Sequence, residues 1–249
     1  MLDVLLLRFD APMMSFGTTA VDAIGKTAPF PGRSMLTGLL GNALGLDHRD
    51  ADRLTRLQSR LRHAVRRDRG GEIRTDYQTV DLGQPFLLDE VAWTTWGRLD
   101  PRGGSSENKV GTHIRYRDFI VDSAFTIALA LDPADEAPTL SDLDAALHRP
   151  ARPLFLGRKC CIPAAALVLG RTRAASLRHA VLDAEPARPC DRRVALWWPE
   201  GDDLETEARS HRVVLTDARD WTNQIHVGVY TMFEEHVDRP TEEAAEHAV

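Results

Sequence analysis

"PFPGRSMLTGLLGNALGL", Pro29–Leu46, carries the helical period on which the fold turns. Met35, Leu36, Leu39, Leu40, Ala43 and Leu44 recur at i, i+1, i+4, i+5, i+8 and i+9, which is one apolar face of a helix. Ser34 stands where an N-cap hydroxyl accepts a hydrogen bond from the first turn. Gly38, Gly41 and Gly45 fall on an adjoining side, although each interior glycine costs about 1 kcal/mol relative to alanine. The helix therefore has a greasy face for a sheet and a thin face for close approach. The sequence predicts that a backbone of the sheet or of the arm described below packs there.

Working outward, Val4–Phe9 reads as a buried first strand and residues 15–31 as a loop. Asp47–Leu61 is a second amphipathic stretch, with Leu54, Leu57 and Leu61 at helical spacing. His63–Arg67 and Ile73–Val80 read as short strands around Gly70 and Gly71. From Asp81 to Thr112 periodicity breaks down around Trp93, Trp96 and the tip "DPRGGSSENKVG", so an arm or excursion is expected. "HIRYRDFIVDSAFTIALAL" resumes as strand, and Thr139–Leu147 makes another short helix. "HRVVLT" is strand-like, "NQIHVGVYTMF" is read as an edge strand, and 238–249 as a disordered acidic tail. Strand, helix, strands, arm, strand, helix, strand is the order of a β-α-β-β-α-β unit, an α+β sheet with helices on one face.

Composition removes several classes of function. No apolar run reaches the roughly 18 residues of a membrane helix, so no membrane role is expected and a cytoplasmic location is. Cys160, Cys161 and Cys190 lack a CxxC spacing, and the nine histidines make no HxxxH pair, so neither a disulfide framework nor a metal or cofactor site is expected. The net charge of -6 is partitioned: residues 183–249 hold 16 acids and 7 bases (net -9), leaving 21 acids and 24 bases (net +3) in residues 1–182. Phosphate contacts are thus expected in the first part, and the acidic third is expected to lie away from a polyanion.

Three stretches carry candidate contacts. In "GRS", the free amides of a helix start with Arg33 and Ser34 can attract phosphate. In "HIRYRDF", alternation puts His113, Arg115 and Arg117 on one strand face, and Ile114, Tyr116 and Asp118 on the other. A basic strand beside an aromatic can hold a nucleic-acid backbone and stack a base. In "LGRKCC", Gly157 permits close approach of a chain, while Arg158 and Lys159 supply charge. Lys109, His113 and Tyr116 form the one catalytic alternative, a base, an acid and a charge stabiliser for metal-independent RNA cleavage.

The segments "LLLRFDAPMMSFG" (5–17), "PFPGRSMLTGLLGNALGL" (29–46), "TDYQTV" (75–80), "YRDFIVDSAFTIAL" (116–129) and "RPLFLGRKCCIPAAAL" (152–167) resemble, in order, the CasD subunits of CRISPR type I-E Cascade, the fifth Cas family of RAMP-fold proteins. The resemblance implies a ferredoxin-like, RRM-related domain over 1–80 and 113–237, with a β-hairpin thumb over 81–112. It implies a non-catalytic subunit in antiviral defence that binds the CRISPR RNA 5′ handle beside CasC backbone subunits and the large CasA subunit. The contacts it implies are Ser15, Phe16, Gly17, Arg33, Ser34, Tyr77, Gln78, His113, Arg115, Tyr116, Arg117, Gly157, Arg158 and Lys159. Phe16, Tyr116, Trp93 and Trp96 are the expected stacking partners. The sequence departs from the family pattern in three places. Phe16 stands where Trp is frequent, Gln78 stands where His is frequent after Tyr77, and "CC" replaces Ser-Cys. Loss of that His argues against a catalytic role, although type I-C relatives do cut RNA. A general RNA-binding module outside CRISPR is the remaining class.

Overall fold

The computed structural model describes residues 1–18, 23–81, 92–93, 99–100 and 112–238. The first strand, β1 (Leu2–Asp10), leads to two short strands, β2 (Met13–Met14) and β3 (Ile24–Gly25), and then to α1 (Arg33–Ala43) and α2 (Ala51–Arg60). Strands β4 (Leu61–Arg69), β5 (Glu72–Asp81), β6 (Ala92–Trp93), β7 (Leu99–Asp100), β8 (Thr112–Val121) and β9 (Ala124–Leu131) follow. The chain continues through α3 (Leu140–His148), β10 (Val168–Ala174), α4 (Leu177–Asp183), β11 (Arg193–Pro199), β12 (His211–Asp220) and β13 (Ile225–Asp238). Apart from those described ends and the β6–β7 pair, the arm expected over 81–112 lies outside the described residues, as do Trp96, Lys109 and residues 239–249.

Seven strands form the main sheet in the order β10-β1-β9-β4-β11-β13-β12. Every neighbouring pair is antiparallel. The first four of these strands come from residues 2–174. The other three come from the acidic third and extend the same sheet, so β12 rather than β13 is the edge. The expected edge strand is internal where Met232 to Phe233 pairs with both β11 and β12. A second sheet, β2-β8-β3 with β5 paired to β8, stands apart from the first. The chain changes sheets at Asp122, whose φ of 55° turns the single strand predicted over 113–131 into β8 and β9.

Two apolar layers enclose the main sheet. Leu5, Leu7, Phe9, Phe125, Ile127, Leu129 and Trp197 face α1 and α3. The alternate positions Val4, Ala64, Ala128, Ala130, Leu196 and Trp198 face α4. Helices therefore cover both faces, not one as the sequence predicted, and every residue of β9 is buried. Each fully enclosed large side chain contributes about 1.5–3 kcal/mol through burial. A buried ion pair anchors the second layer. Arg66 Nε meets Asp68, and Arg66 Nη1 donates to the carbonyls of Leu182 (3.2 Å) and Ala184 (3.0 Å) at the end of α4. Asp68 also accepts from Thr126 Oγ1 at 2.6 Å and from the Ala187 amide at 2.8 Å.

The glycines of α1 acquire specific neighbours. A Cβ at Gly41 would stand 2.5 Å from Leu54 Cδ2 of α2, and one at Gly38 would stand 3.6 Å from Trp221 Cη2. Gly45 ends the helix at φ +80°, with the Leu46 amide bonded to the Gly41 carbonyl at 2.8 Å. Among the described residues the thin face thus meets side chains of α2 and of the β12–β13 turn, not a backbone of the sheet. Thr139 caps α3 reciprocally with Asp142, in keeping with the helix predicted there.

Candidate nucleic-acid interface

The β5–β8 hairpin is paired from Glu72↔Val121 to Asp81↔Thr112, and its register sorts the predicted contacts between two faces. Tyr77 lies opposite Tyr116, and Tyr116 opposite Ile24 of β3. The two tyrosine rings meet edge to face at 5.5 Å and remain 56% and 42% exposed, so they form a platform open to solvent. Gln78 pairs with Arg115, Asp76 with Arg117, and the His113 backbone with Val80, all on the other face. Gln78 Nε2 donates to Asp76 Oδ2 at 2.7 Å. The side chains of His113 and Trp93 lie outside the described residues.

Below this hairpin the loop 155–160 folds against the strand-β2 loop. Gly157 adopts φ +98°, and a Cβ there would stand 1.7 Å from the Ser15 carbonyl oxygen. The close approach that this glycine permits is therefore one by the protein's own chain. The Ser15 amide donates to the Leu156 carbonyl at 3.2 Å, and its hydroxyl donates to the Asp118 carbonyl at 3.0 Å. Ser15 is buried and acts as scaffold, while Gly17 is exposed and bridges to Thr27.

Three cations meet at this junction. Arg158 Nη1 and Nη2 donate to the carbonyls of Asp118 and Gly25, each at 3.2 Å, and its guanidinium lies 4.7 Å above the Phe119 ring. Arg117 stands beside it: a Cβ at Gly25 would lie 2.5 Å from Arg117 Nη1 and 3.0 Å from Arg158 Nη2. Burial, and then the charge of Arg117, hold the Arg158 pKa below its ordinary value. Lys26 reaches Asp118 Oδ2 at 3.3 Å, and Lys159 is exposed. Asp118 also accepts from Thr75 at 2.8 Å, and Asp76 stands across the strand pair from Arg117. Arg117 and Arg158 thus place two adjacent positive charges at this edge.

The start of α1 is arranged differently from the expectation. Its N-cap is Gly32, not Ser34, and no side chain of the cap residue serves it. Asp217 of β12 enters instead. It accepts from the Ser34 amide at 3.1 Å, from the Ser34 hydroxyl, and from Tyr230 Oη at 3.3 Å. A Cβ at Gly32 would stand 2.1 Å from Asp217 Oδ2, so the glycine is what admits the carboxylate. The Arg33 amide donates to Tyr230 Oη at 3.0 Å, and the Arg33 guanidinium stacks 4.1 Å over the Tyr230 ring. Burial lowers the Arg33 pKa and raises that of Tyr230. His63 lies fully enclosed beside Tyr230, its pKa pushed down to about 3 by burial and then by Arg33. The anion position expected to attract phosphate is filled by the protein's own Asp217.

Phe16 is also corrected. It is fully enclosed, with ring centroids 6.4 Å from Phe9 and 5.3 Å from Phe125, so it offers no face to a base. Its position in the core explains why an aromatic is needed there.

A groove of about 490 Å³ runs along the thin face of α1, from Ser15, Gly17, Gly157 and Arg158 to Arg219 and Trp221. It brings together residues more than 200 positions apart. Its C-terminal contributors Arg219, Trp221 and His226, and Asp217 and Tyr230 at the start of α1, were missed from sequence. Alternation in "HVGVY" shows a strand there, but nothing local identifies its partner. Among the described residues, no helix is long and apolar enough to cross a membrane.

A family model described as CRISPR-associated protein (Cas_Cas5) matches residues 4–233. The CRISPR system Cascade subunit CasD of Escherichia coli (strain K12) is 32% identical over 182 residues, which is 73% of this chain and 77% of that protein. A chain of a solved CRISPR RNA-guided surveillance complex superposes with TM-score 0.62 at 25% identity, over 94% of this chain and 89% of the other. A crystal structure of a Cas protein superposes with TM-score 0.59 at 24% identity, over 96% of each chain.

Proposed function

The chain belongs to the CRISPR-associated (Cas_Cas5) family, and from that premise we propose that it is the non-catalytic subunit of a type I-E Cascade that binds the 5′ handle of the CRISPR RNA. One observation carries the reading: the guanidiniums of Arg117 and Arg158 are held side by side, with Lys26 close by on Asp118. Like charges repel, so such a cluster is most stable with a polyanion against it. Tyr77 and Tyr116 supply an aromatic platform on the same hairpin, and stacking of splayed bases is the usual complement to phosphate contacts in single-stranded RNA recognition. Arg115 extends the basic face, with the His113 position beside it.

In this reading the β10-β1-β9-β4 portion of the sheet belongs to the ferredoxin-like RAMP unit, and residues 81–112 are the thumb. The subunit works in the cytoplasm next to CasC-type and CasA-type neighbours. Its role is to hold RNA for RNA-guided DNA recognition.

The test is to incubate the purified chain with labelled full repeat RNA in EDTA and to resolve both mobility and length. Intact RNA that shifts only when the handle is present is the expected result. Discrete cleavage within the repeat would overturn it in favour of an endoribonuclease using Lys109, His113 and Tyr116. Equal affinity for RNA without a handle would place the chain among general RNA binders.

A further inference from the structure

We propose that Cys160 and Cys161 are a peroxide-sensitive dithiol, and that its closure to a vicinal disulfide releases Arg158 from the carbonyls of Asp118 and Gly25. Cys160 is exposed, whereas Cys161 is fully enclosed in the apolar layer that also holds Phe16 and Leu156. One thiol of the pair is therefore open to an oxidant in solution, and the other stands directly behind it in the chain, which is the arrangement of a reacting and a resolving cysteine. Burial, reinforced by the adjacent Cys160, pushes the Cys161 thiol up to about 11, so it stays protonated and the accessible Cys160 is the first to react.

The chain already folds back at this dipeptide. The Cys161 amide donates to the Arg158 carbonyl at 2.8 Å, the Ile162 amide to the Cys160 carbonyl at 3.1 Å, and the Leu156 amide to the Cys161 carbonyl at 2.7 Å. These bonds hold the turn that carries Arg158, whose guanidinium reaches the carbonyls of Asp118 and Gly25 at 3.2 Å each. Adjacent Cα atoms stand only about 3.8 Å apart, against the ~4.4–6.8 Å of ordinary disulfides, so ring closure twists the Cys160–Cys161 peptide. That twist, with the Cys161 sulfur drawn out of the core, breaks the bonds at the Cys161 amide and carbonyl and frees the turn. The same crowding strains the disulfide, and strained disulfides are readily reduced, so the change reverses.

The oxidant is hydrogen peroxide. The Cys160 thiolate attacks one peroxide oxygen, the O–O bond breaks, and a Cys160 sulfenic acid and hydroxide form. The Cys161 sulfur then attacks the Cys160 sulfur. The S–S bond forms, the S–O bond breaks, and the departing hydroxide takes the Cys161 proton and leaves as water. In sum the two thiols lose two electrons and two protons, and the peroxide is reduced to two waters. The loss of an RNA contact at Arg158 rests on the function proposed above, whereas the disulfide itself does not.

The reduced full-length chain is treated with hydrogen peroxide and then with dithiothreitol. Each form is read by intact mass, by mapping of the peptide that carries both cysteines, by limited trypsin cleavage after Arg158, and by anisotropy with handle RNA. Cys160→Ser removes the accessible sulfur without touching the core. The expected result is a loss of about 2 Da per chain, mapped to a Cys160–Cys161 bond, with faster cleavage after Arg158. Handle RNA should bind about tenfold more weakly, the value of one hydrogen-bonded charge, and dithiothreitol should restore it. Cys160→Ser should show none of these changes. If mass and cleavage change as expected but RNA binds neither form, the dithiol stands and the handle reading falls. Oxygen adducts or chain-to-chain disulfides in place of the Cys160–Cys161 bond overturn the inference and leave the handle reading intact. A Cys160–Cys161 bond with unchanged cleavage and RNA affinity also overturns it, because Arg158 then keeps its seat.

Discussion

Arg117→Ala and Arg33→Ala separate the two places where RNA phosphate was expected. Arg117 forms no ion pair among the described residues and stands beside Arg158, so its removal relieves like-charge repulsion and leaves stability within about 0.5 kcal/mol. If it contacts one phosphate, the slope of log K against log salt becomes shallower by about 0.7, the single-strand value per contact. Between 50 and 200 mM salt the variant then loses about 2.6-fold less affinity than the parent, from the same slope. Arg33 is stacked on Tyr230 next to an Asp217 that already occupies the helix start. Its removal should cost about 1–2 kcal/mol of stability through the lost desolvated cation–π contact, and should leave the salt slope unchanged. Fluorescence anisotropy of handle RNA across a salt series reads the slopes, and urea melts read the stabilities. A parental slope in Arg117→Ala, or a slope flattened by 0.7 in Arg33→Ala, refutes the placement of phosphate at the hairpin junction.

Three further outcomes test the scaffold. Gly157→Ala forces a Cβ into the Ser15 carbonyl at a φ of +98°, so a loss of stability well above the usual ~1 kcal/mol of a strained glycine site is expected, read as a large fall in Tm. Arg66→Met leaves Asp68 buried without its cation and should cost about 3–5 kcal/mol in urea unfolding; a cost below 1 kcal/mol would show that α4 is held by packing alone. His63 has a folded pKa of about 3 against 6.5 when exposed, so the folded state resists its protonation and stability is lost as pH falls from about 6.5 toward 3. At pH 5 this amounts to about 2 kcal/mol, and His63→Leu should reduce the stability difference between pH 7.5 and pH 5 by that amount; an unchanged difference would sink the argument.

The helix period of Met35–Leu44, the short helix α3 and the first strand were legible because each is a local pattern that packing reinforces. The two faces of the hairpin were legible for the same reason, since strand alternation alone separates Arg115 and Arg117 from Tyr116. Phe16 was misread because a loop aromatic and a core aromatic have the same local sequence; only the positions of Phe9 and Phe125 distinguish them. Helix α4 was not anticipated on the second face, because the run of alanines in β9 that accommodates it also fits a half-exposed strand.

The sequence by itself determined the period of α1, the first strand, the charge partition and the family resemblance, all of which depend on neighbours in the chain or on ordered segments. Tertiary structure alone decided that the acidic third completes the sheet and sends Asp217 into the start of α1. Tertiary structure alone also decided that the thin face of α1 meets Leu54 and Trp221. A helix start attracts any anion, and a glycine face admits any close neighbour. Which anion and which neighbour arrive depends on contacts almost 200 residues away, whose geometry no local pattern encodes.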